Sequence, residues 1–469
     1  MFIRWRISGG FGHKNLLSDG KNRYNTFIFH CSYRKIERGV FLGNRGVKYI
    51  KLAYQWACEI VQRLRDHGFE AYFVGGCVRD MLMGRRPADY DIATDATVDQ
   101  VRGLFRRTVP VGAAFGVVMV LRDNLQCQVS TYRGQPATAQ EDACLRDFTI
   151  NALFYDPVTD TVHDWVGGRA DIENKIIRAV GSAQERFADD YLRMLRAVRI
   201  CTSLGFAIDS EALATIRLNA DRLAEVSKER IRDELIRIFS NANAATALEL
   251  LRETGLFKTM FPDLFGLYEQ RLPEMKATPF ELISAILRHI DEPHYHTGMA
   301  ALLSLPSLLR YPSCVDQPPD GEDSELVSST LRSYMFSNAD RKAVCAVLFN
   351  HRSFIFAGCM PDGAKKTFMR SRWFTRELAF HRAHLTALGM DISSYSHLSS
   401  YYSSLTRDDL FPPALITGKD LYDAGFTQGP HWRAILSEAQ YMQLDGSLLS
   451  RQDAISWLHA KKDSFEATS

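Results

Sequence analysis

The sequence predicts an α+β chain: a small mixed α/β head followed by an elongated, all-helical remainder. Three observations predict it. Strand-like runs crowd between residues 71 and 132. After Gly181 they nearly vanish, and apolar residues recur at helical spacing to the C-terminus. No internal repeat is present, so a solenoid is excluded.

The 469 residues correspond to about three domains as a prior. Hydrophobic residues at 46% and charged residues at 24% are ordinary globular values and exclude a wholly disordered chain. No run reaches the ~20 apolar residues of a membrane span, so no membrane partner is expected. The net charge, 57 − 55 = +2, leaves any nucleic-acid surface to be local. Nine cysteines without a C-x-x-C pair argue for a reducing compartment, hence a cytoplasmic protein.

Residues 1–48 carry ten Lys/Arg against Asp19 and Glu37. They read as a basic N-terminal extension, residues 1–49, either a loose tail or an organelle-targeting segment. From Lys51, Trp56, Ala57, Ile60, Val61 and Leu64 repeat at helical spacing until Gly68. Ala71 to Val74 reads as a buried strand ending at Gly75-Gly76. Thr97 and Gln100 form a capping box that starts a helix. Val117–Leu121 and Cys127–Tyr132 read as strands around the turn Arg122-Asp123-Asn124. Later, Met194, Ala197, Val198 and Cys201 mark one apolar helical face, and Ile231–Phe239 and Ala245–Leu251 two more helices. Pro312 to Ser324 reads as a loop or linker.

The densest chemistry lies between residues 74 and 95. Asp89 and Asp91 are two apart; if Tyr90 to Ala93 is a strand, both carboxylates share a face. Two acids with no base between them suit a hard cation such as Mg²⁺, held together with substrate phosphates. Gly75-Gly76 bares backbone N–H groups to a phosphate, and Arg79 adds charge. A strand, a Gly-Gly turn and a D-x-D together describe phosphoryl or nucleotidyl transfer. His289, Asp291, His294 and His296 lack the partners of a metal-dependent hydrolase site and read as ordinary histidines and a surface acid.

These residues resemble motif A of class II tRNA nucleotidyltransferases and bacterial poly(A) polymerases, of the polymerase β superfamily. Arg146 to Ala152 resembles motif B, Asp164 to Asp171 motif C, and Asp189 to Arg199 motif D. Leu415 to Leu421, Gly429-Pro430 and Gln443 to Gly446 resemble the tail of CCA-adding enzymes. The resemblance implies a nucleotidyltransferase head (50–180), a neck that selects the base (181–243), an RNA-binding body (244–345) and a tRNA-binding tail (346–469). It implies attack of a tRNA 3′-hydroxyl on the α-phosphate of CTP or ATP, with Asp89 and Asp91 as catalytic metal ligands. Gly75, Gly76, Arg79, Arg146, Asp147, Asn151, Asp190, Arg193 and Arg196 would bind nucleotide. No obligate protein partner is implied.

Asp190 and Arg193 stand at i and i+3, which predicts neighbours on one helical face. An acceptor-only carboxylate and a donor-only guanidinium match the amine and ring nitrogen of cytosine and adenine alike. Lys228, Arg230 and Arg232 are candidate RNA phosphate contacts; a solvated helix face is the plainer reading. Tyr401, Tyr402 and Trp432 offer stacking surfaces or core packing. Three departures from the family stand out. Leu145 replaces the first arginine of motif B. Gln128 occupies the place of a third carboxylate. The segment 134–140 is short where the family carries a longer loop associated with switching from CTP to ATP, as in enzymes that add only C. A CC-adding enzyme, a poly(A) polymerase and a non-catalytic tRNA-binding relative are therefore the alternatives.

Overall fold

The computed structural model describes residues 44–110, 116–268, 277–304 and 321–466. The chain divides into two compact units, the first ending at Glu173 and the second starting at Asn174.

The first unit is the head. It opens with helix α1, Asn44–Asp66. This helix starts ahead of Lys51 and so takes in the end of the basic extension; residues 1–43 lie outside the described residues. Strand β1 (Ala71–Val74) follows, then α2 (Gly76–Leu82), β2 (Asp91–Thr94) and α3 (Val98–Leu104). The expected capping box of Thr97 and Gln100 is formed at the start of α3. Next come β3 (Thr108–Pro110), β4 (Val117–Arg122) and β5 (Leu125–Thr131). The β4–β5 turn carries Asp123 at φ 52°, a left-handed conformation that Asp tolerates. Helix α4 (Ala139–Cys144), a 3-10 turn (Thr149–Asn151), β6 (Phe154–Asp156), β7 (Thr161–His163) and α5 (Gly168–Asn174) complete the order.

The seven strands make one sheet in the order β3-β4-β5-β2-β1-β6-β7. Only the β2–β5 pairing is parallel. One face is packed: Ala57, Ile60, Val61 and Leu64 of α1 bury against Phe73, Ile92, Val129 and Tyr155. Their i, i+3, i+4, i+7 spacing is the apolar stripe the sequence shows. The register places Gln128, Asp91, Val74 and Phe154 in one row across β5, β2, β1 and β6. Side chains along such a row share a face, and Ile92 and Phe73, one residue on, point to the packed side. The sheet therefore directs Asp91 away from the α1 core.

The second unit is nearly all helical. Among the described residues its one sheet is the two-stranded pair β8 (Ile176–Ile177) and β9 (Ala207–Ile208). Helices α6 (Ala183–Asp189) and α7 (Leu192–Leu204) lie between these strands. After them come α8 (Ser210–Leu218) and α9 (Lys228–Phe239). Later helices include α10 (Tyr295–Leu303), α11 (Asn338–Ser353) and α12 (Phe374–Ala387). The expected linker at 312–324 is corrected in part: a helix spans Gly321–Ser333, beginning two residues after Pro319, where proline no longer blocks it. Residues 305–320 lie outside the described ones. Toward the C-terminus Ile416, Leu421, Phe426, Ile435 and Leu458 share a separate core.

Candidate active site

β2 begins at Asp91, not Tyr90. Its partner β1 runs out there, since Val74 pairs with Asp91 and Gly75 turns away. Asp89 therefore precedes the strand, exposed at a bend. The two carboxylates still feel each other. Burial pushes the Asp91 carboxyl up to about 6, the Asp89 charge adds to this, and Arg146 opposes it.

Gly75 holds φ 78°, and its bare backbone lets the polar groups converge. A Cβ there would lie 3.6 Å from Nη1 of Arg146, 3.8 Å from Oδ2 of Asp91 and 4.0 Å from the Asn151 carbonyl oxygen. A side chain at this point would fill the space between the carboxylate and the guanidinium.

Both arginines are fixed. Arg79 donates to Asp80 Oδ1 from Nε (2.9 Å) and Nη2 (2.7 Å), and from Nη1 to Oδ1 of Asn151 (2.7 Å). Arg146 donates from Nε (3.0 Å) and Nη2 (2.7 Å) to Oδ2 of Asp142, and stacks over Phe154 at 5.0 Å. Asp142 is buried and also accepts the Arg133 N–H. Asp142 was not singled out from the sequence, although its place four residues before Arg146 is a readable helix-pair signal. Asp147 accepts the N–H of Phe148 at 2.8 Å and the Asn151 amide at 3.4 Å.

The segment resembling motif C braces this arrangement. Asp164 accepts four backbone N–H groups, from Val166, Gly167, Gly168 and Arg169. Gly168 presses on the Thr149–Asn151 turn so closely that a Cβ would stand 2.2 Å from the Thr149 carbonyl oxygen. Thr149 donates to the buried Asp171 carboxylate at 2.7 Å. The turn so clamped presents Asn151 to Arg79.

In the second unit the expected Asp190–Arg193 face is corrected. Asp190 lies outside α7, in extended backbone (φ −161°) between α6 and α7. Short acidic side chains favour such pre-helix positions because they accept free N–H groups, and Asp190 accepts that of Leu192 at 3.2 Å. Its carboxylate is gripped by Arg230: Nη1 donates to Oδ1 at 3.1 Å and Nη2 to Oδ2 at 2.7 Å. Arg193 donates instead to the Arg186 carbonyl oxygen (2.9 Å) and to Asp189 (3.4 Å). Arg196 follows on α7, half-buried. Lys228 lies over the Tyr334 ring, and Arg232 is tied to Asp233 and the Met335 carbonyl oxygen. Tyr402 packs on Phe374, Tyr401 donates to Asp362, and Trp432 donates to the Thr427 carbonyl oxygen.

Among the described residues no group of three or more His, Cys, Asp or Glu side chains could hold a metal ion. The Asp89–Asp91 pair offers two hard-oxygen ligands, and Gln128 stands beside Asp91 in the parallel register. The Asp91 carboxyl, raised by burial and by the Asp89 charge and standing near the fixed Arg146, fits a divalent cation bound jointly with phosphates.

Such a carboxylate pair, with a glycine turn and fixed arginines at one end of a mixed sheet, suits a cation held together with phosphates. Parts of the chain are similar to known proteins. Residues 71–178 match the poly A polymerase head domain, and residues 205–268 match the probable RNA and SrmB-binding site of polymerase A. The CCA-adding enzyme of Geobacillus thermodenitrificans is 41% identical over 229 residues, 46% of this chain and 56% of that protein. The match thus spans about half the length of that relative. The CCA-adding enzyme of Levilactobacillus brevis is 28% identical over 87% of this chain and 98% of its own length. The crystal structure of the Bacillus stearothermophilus CCA-adding enzyme in complex with CTP superposes with a TM-score of 0.62 at 28% identity, covering 89% of this chain and 99% of that one. The chain is thus similar to CCA-adding enzymes along most of its length, and to the poly A polymerase head domain over residues 71–178.

Proposed function

We propose that the chain is a template-independent tRNA nucleotidyltransferase, transferring C and A residues from CTP and ATP to the tRNA 3′ end with Mg²⁺. The observation that carries this reading is the convergence of Asp91, Gly75, Arg146 and Asn151 at one end of the head sheet, with the Asp89 charge acting on Asp91. In the reaction the RNA 3′-hydroxyl attacks the α-phosphate and pyrophosphate leaves. Asp89 and Asp91 would hold Mg²⁺, which when bound favours the ionised hydroxyl and neutralises charge on the departing phosphates. Arg79 and Arg146 place positive charge near the phosphates, and their partners hold them there before substrate arrives, so little reorganisation is needed. Gly75 keeps the approach open. Asp190 accepts the amine of cytosine or adenine, and Arg193 donates to the ring nitrogen.

Addition of C alone is the second reading, and one observation favours it. Only residues 132–138 join β5 to α4, which leaves no room for a long loop.

The test incubates purified protein with tRNA lacking its 3′ end, Mg²⁺, and labelled CTP and ATP, separately and together. Incorporation of C then A supports the main reading, and C alone the second. Long A tracts indicate a poly(A) polymerase, and tight tRNA binding without incorporation a non-catalytic relative. Asp89→Ala and Asp91→Ala should abolish addition and spare tRNA affinity; equal loss of both would contradict the metal role.

A further inference from the structure

We propose that Arg230 is a positioning residue that fixes the acceptor edge of Asp190 and thereby sets base selectivity. This rests on the reading of Asp190 as the base-selecting carboxylate. Asp190 sits in extended backbone, so no helix dictates the aim of its side chain. Its two fixed contacts do. The Leu192 N–H and Nη1 of Arg230 both reach Oδ1, and Nη2 of Arg230 reaches Oδ2. A carboxylate offers roughly four lone-pair positions. Three are occupied, which leaves about one, on Oδ2.

One remaining acceptor is the number that a single exocyclic amine requires. Cytosine and adenine each bring one such amine to the corresponding edge. Uracil and guanine bring a carbonyl oxygen there, which would meet the free lone pair with no proton between them. Arg230 contributes in two ways. Its planar fork holds the carboxylate plane, which an ammonium cannot do. It also uses up the acceptor positions that would otherwise let the carboxylate turn and offer a different edge.

Arg230 is about half exposed, whereas the Asp190 side chain is 26% exposed. Arg230 lies off the buried face of α9, formed by Ile231, Glu234, Leu235 and Ile238, so its substitution leaves that face untouched. Arg193 belongs to a different pair, with Asp189, and does not substitute for Arg230 at Asp190.

The experiment measures kcat/KM for CTP, ATP, UTP and GTP on tRNA acceptors, in Arg230→Gln, Arg230→Lys and Asp190→Ala full-length protein, alongside thermal melts. Arg230→Gln should lower the preference for CTP over UTP by about tenfold or more, the worth of one charge-assisted hydrogen bond. Arg230→Lys should recover part of it at most, because a lysine cannot bind both oxygens in the plane. The melting temperature should stay near that of the unsubstituted protein. Selectivity retained in Arg230→Gln but lost in Asp190→Ala overturns the role of Arg230 and leaves Asp190 as the base reader. Selectivity retained in Asp190→Ala overturns the reading of Asp190 itself. An equal fall in kcat/KM for all four nucleotides, with selectivity kept, also overturns the positioning role.

Discussion

Acidification should loosen the helical unit where His351 of α11 meets His381 and His384 of α12. The rings are close: 4.8 Å between the centroids of His351 and His384, and 5.9 Å between those of His351 and His381. His351 and His381 are buried, and Nδ1 of His384 finds no hydrogen-bond partner among the described residues. Burial lowers the pKa of His381 to about 4 and that of His384 to about 4, and pushes that of His351 well below 6.5. Arg352 adds repulsion toward His351 and His384. The unfolded chain takes up the protons of His381 and His384 near pH 6.5, and the folded chain only near pH 4. Stability is therefore whole above pH 6.5 and falls as the pH drops from there toward 4. Between pH 7 and pH 5 each of His381 and His384 should contribute a loss of about 2 kcal/mol, at roughly 1.4 kcal/mol per pKa unit. Buried Glu377, whose pKa burial raises, acts in the opposite sense, because acid relieves its cost. A comparison of variants cancels that shared term. Hydrogen exchange followed by mass spectrometry on α11 and α12 gives local opening energies without assuming that the whole chain unfolds at once. In His384→Leu the loss between pH 7 and pH 5 should be about 2 kcal/mol smaller than in the unsubstituted protein. An unchanged pH dependence would refute the reasoning.

Other perturbations test the head. Gly168→Ala forces a Cβ to within 2.2 Å of the Thr149 carbonyl oxygen, so it should destabilise the head by about 3 kcal/mol or more, read as a lowered melting temperature. Asp142→Ala leaves the 12%-exposed Arg146 without its carboxylate; kcat/KM should fall at least about tenfold, and an unchanged value would show that Phe154 alone holds the guanidinium. Gln128→Glu sets a third carboxylate beside Asp91 in register; it should tighten divalent-metal dependence and raise addition, and no gain would mean that the missing acid is not limiting.

Much of the head was legible because its signals are local. The strand before Gly75-Gly76, the Thr97–Gln100 capping box and the β4–β5 turn each sit within a few residues of the pattern that announces them. What stayed hidden depends on long-range register. The row from Gln128 through Asp91 to Phe154 joins segments far apart in sequence, and only the sheet order brings them level. The Asp190–Arg230 pair spans forty residues, so no spacing rule reveals it. Asp190 and Arg193 were read as one helical face because an i, i+3 interval looks the same on either side of a helix start. The capping preference of aspartate was the signal that would have separated them. Asp142, four residues before Arg146, lies within reach of the helix-pair rule.

The pairing of β5 with β2 has a consequence for engineering and for divergence among relatives. Four successive pairs, Asp91 with Gln128 through Thr94 with Thr131, lock these strands before the chain enters the stretch leading to α4. A one-residue slip would swing Asp91 into the oily side of the sheet, so length changes are barred within the strands themselves. Downstream, between Arg133 and Ala139, they are not. That junction can lengthen or contract as an insertion point, so that a loop is gained or lost there while Asp91 keeps its station.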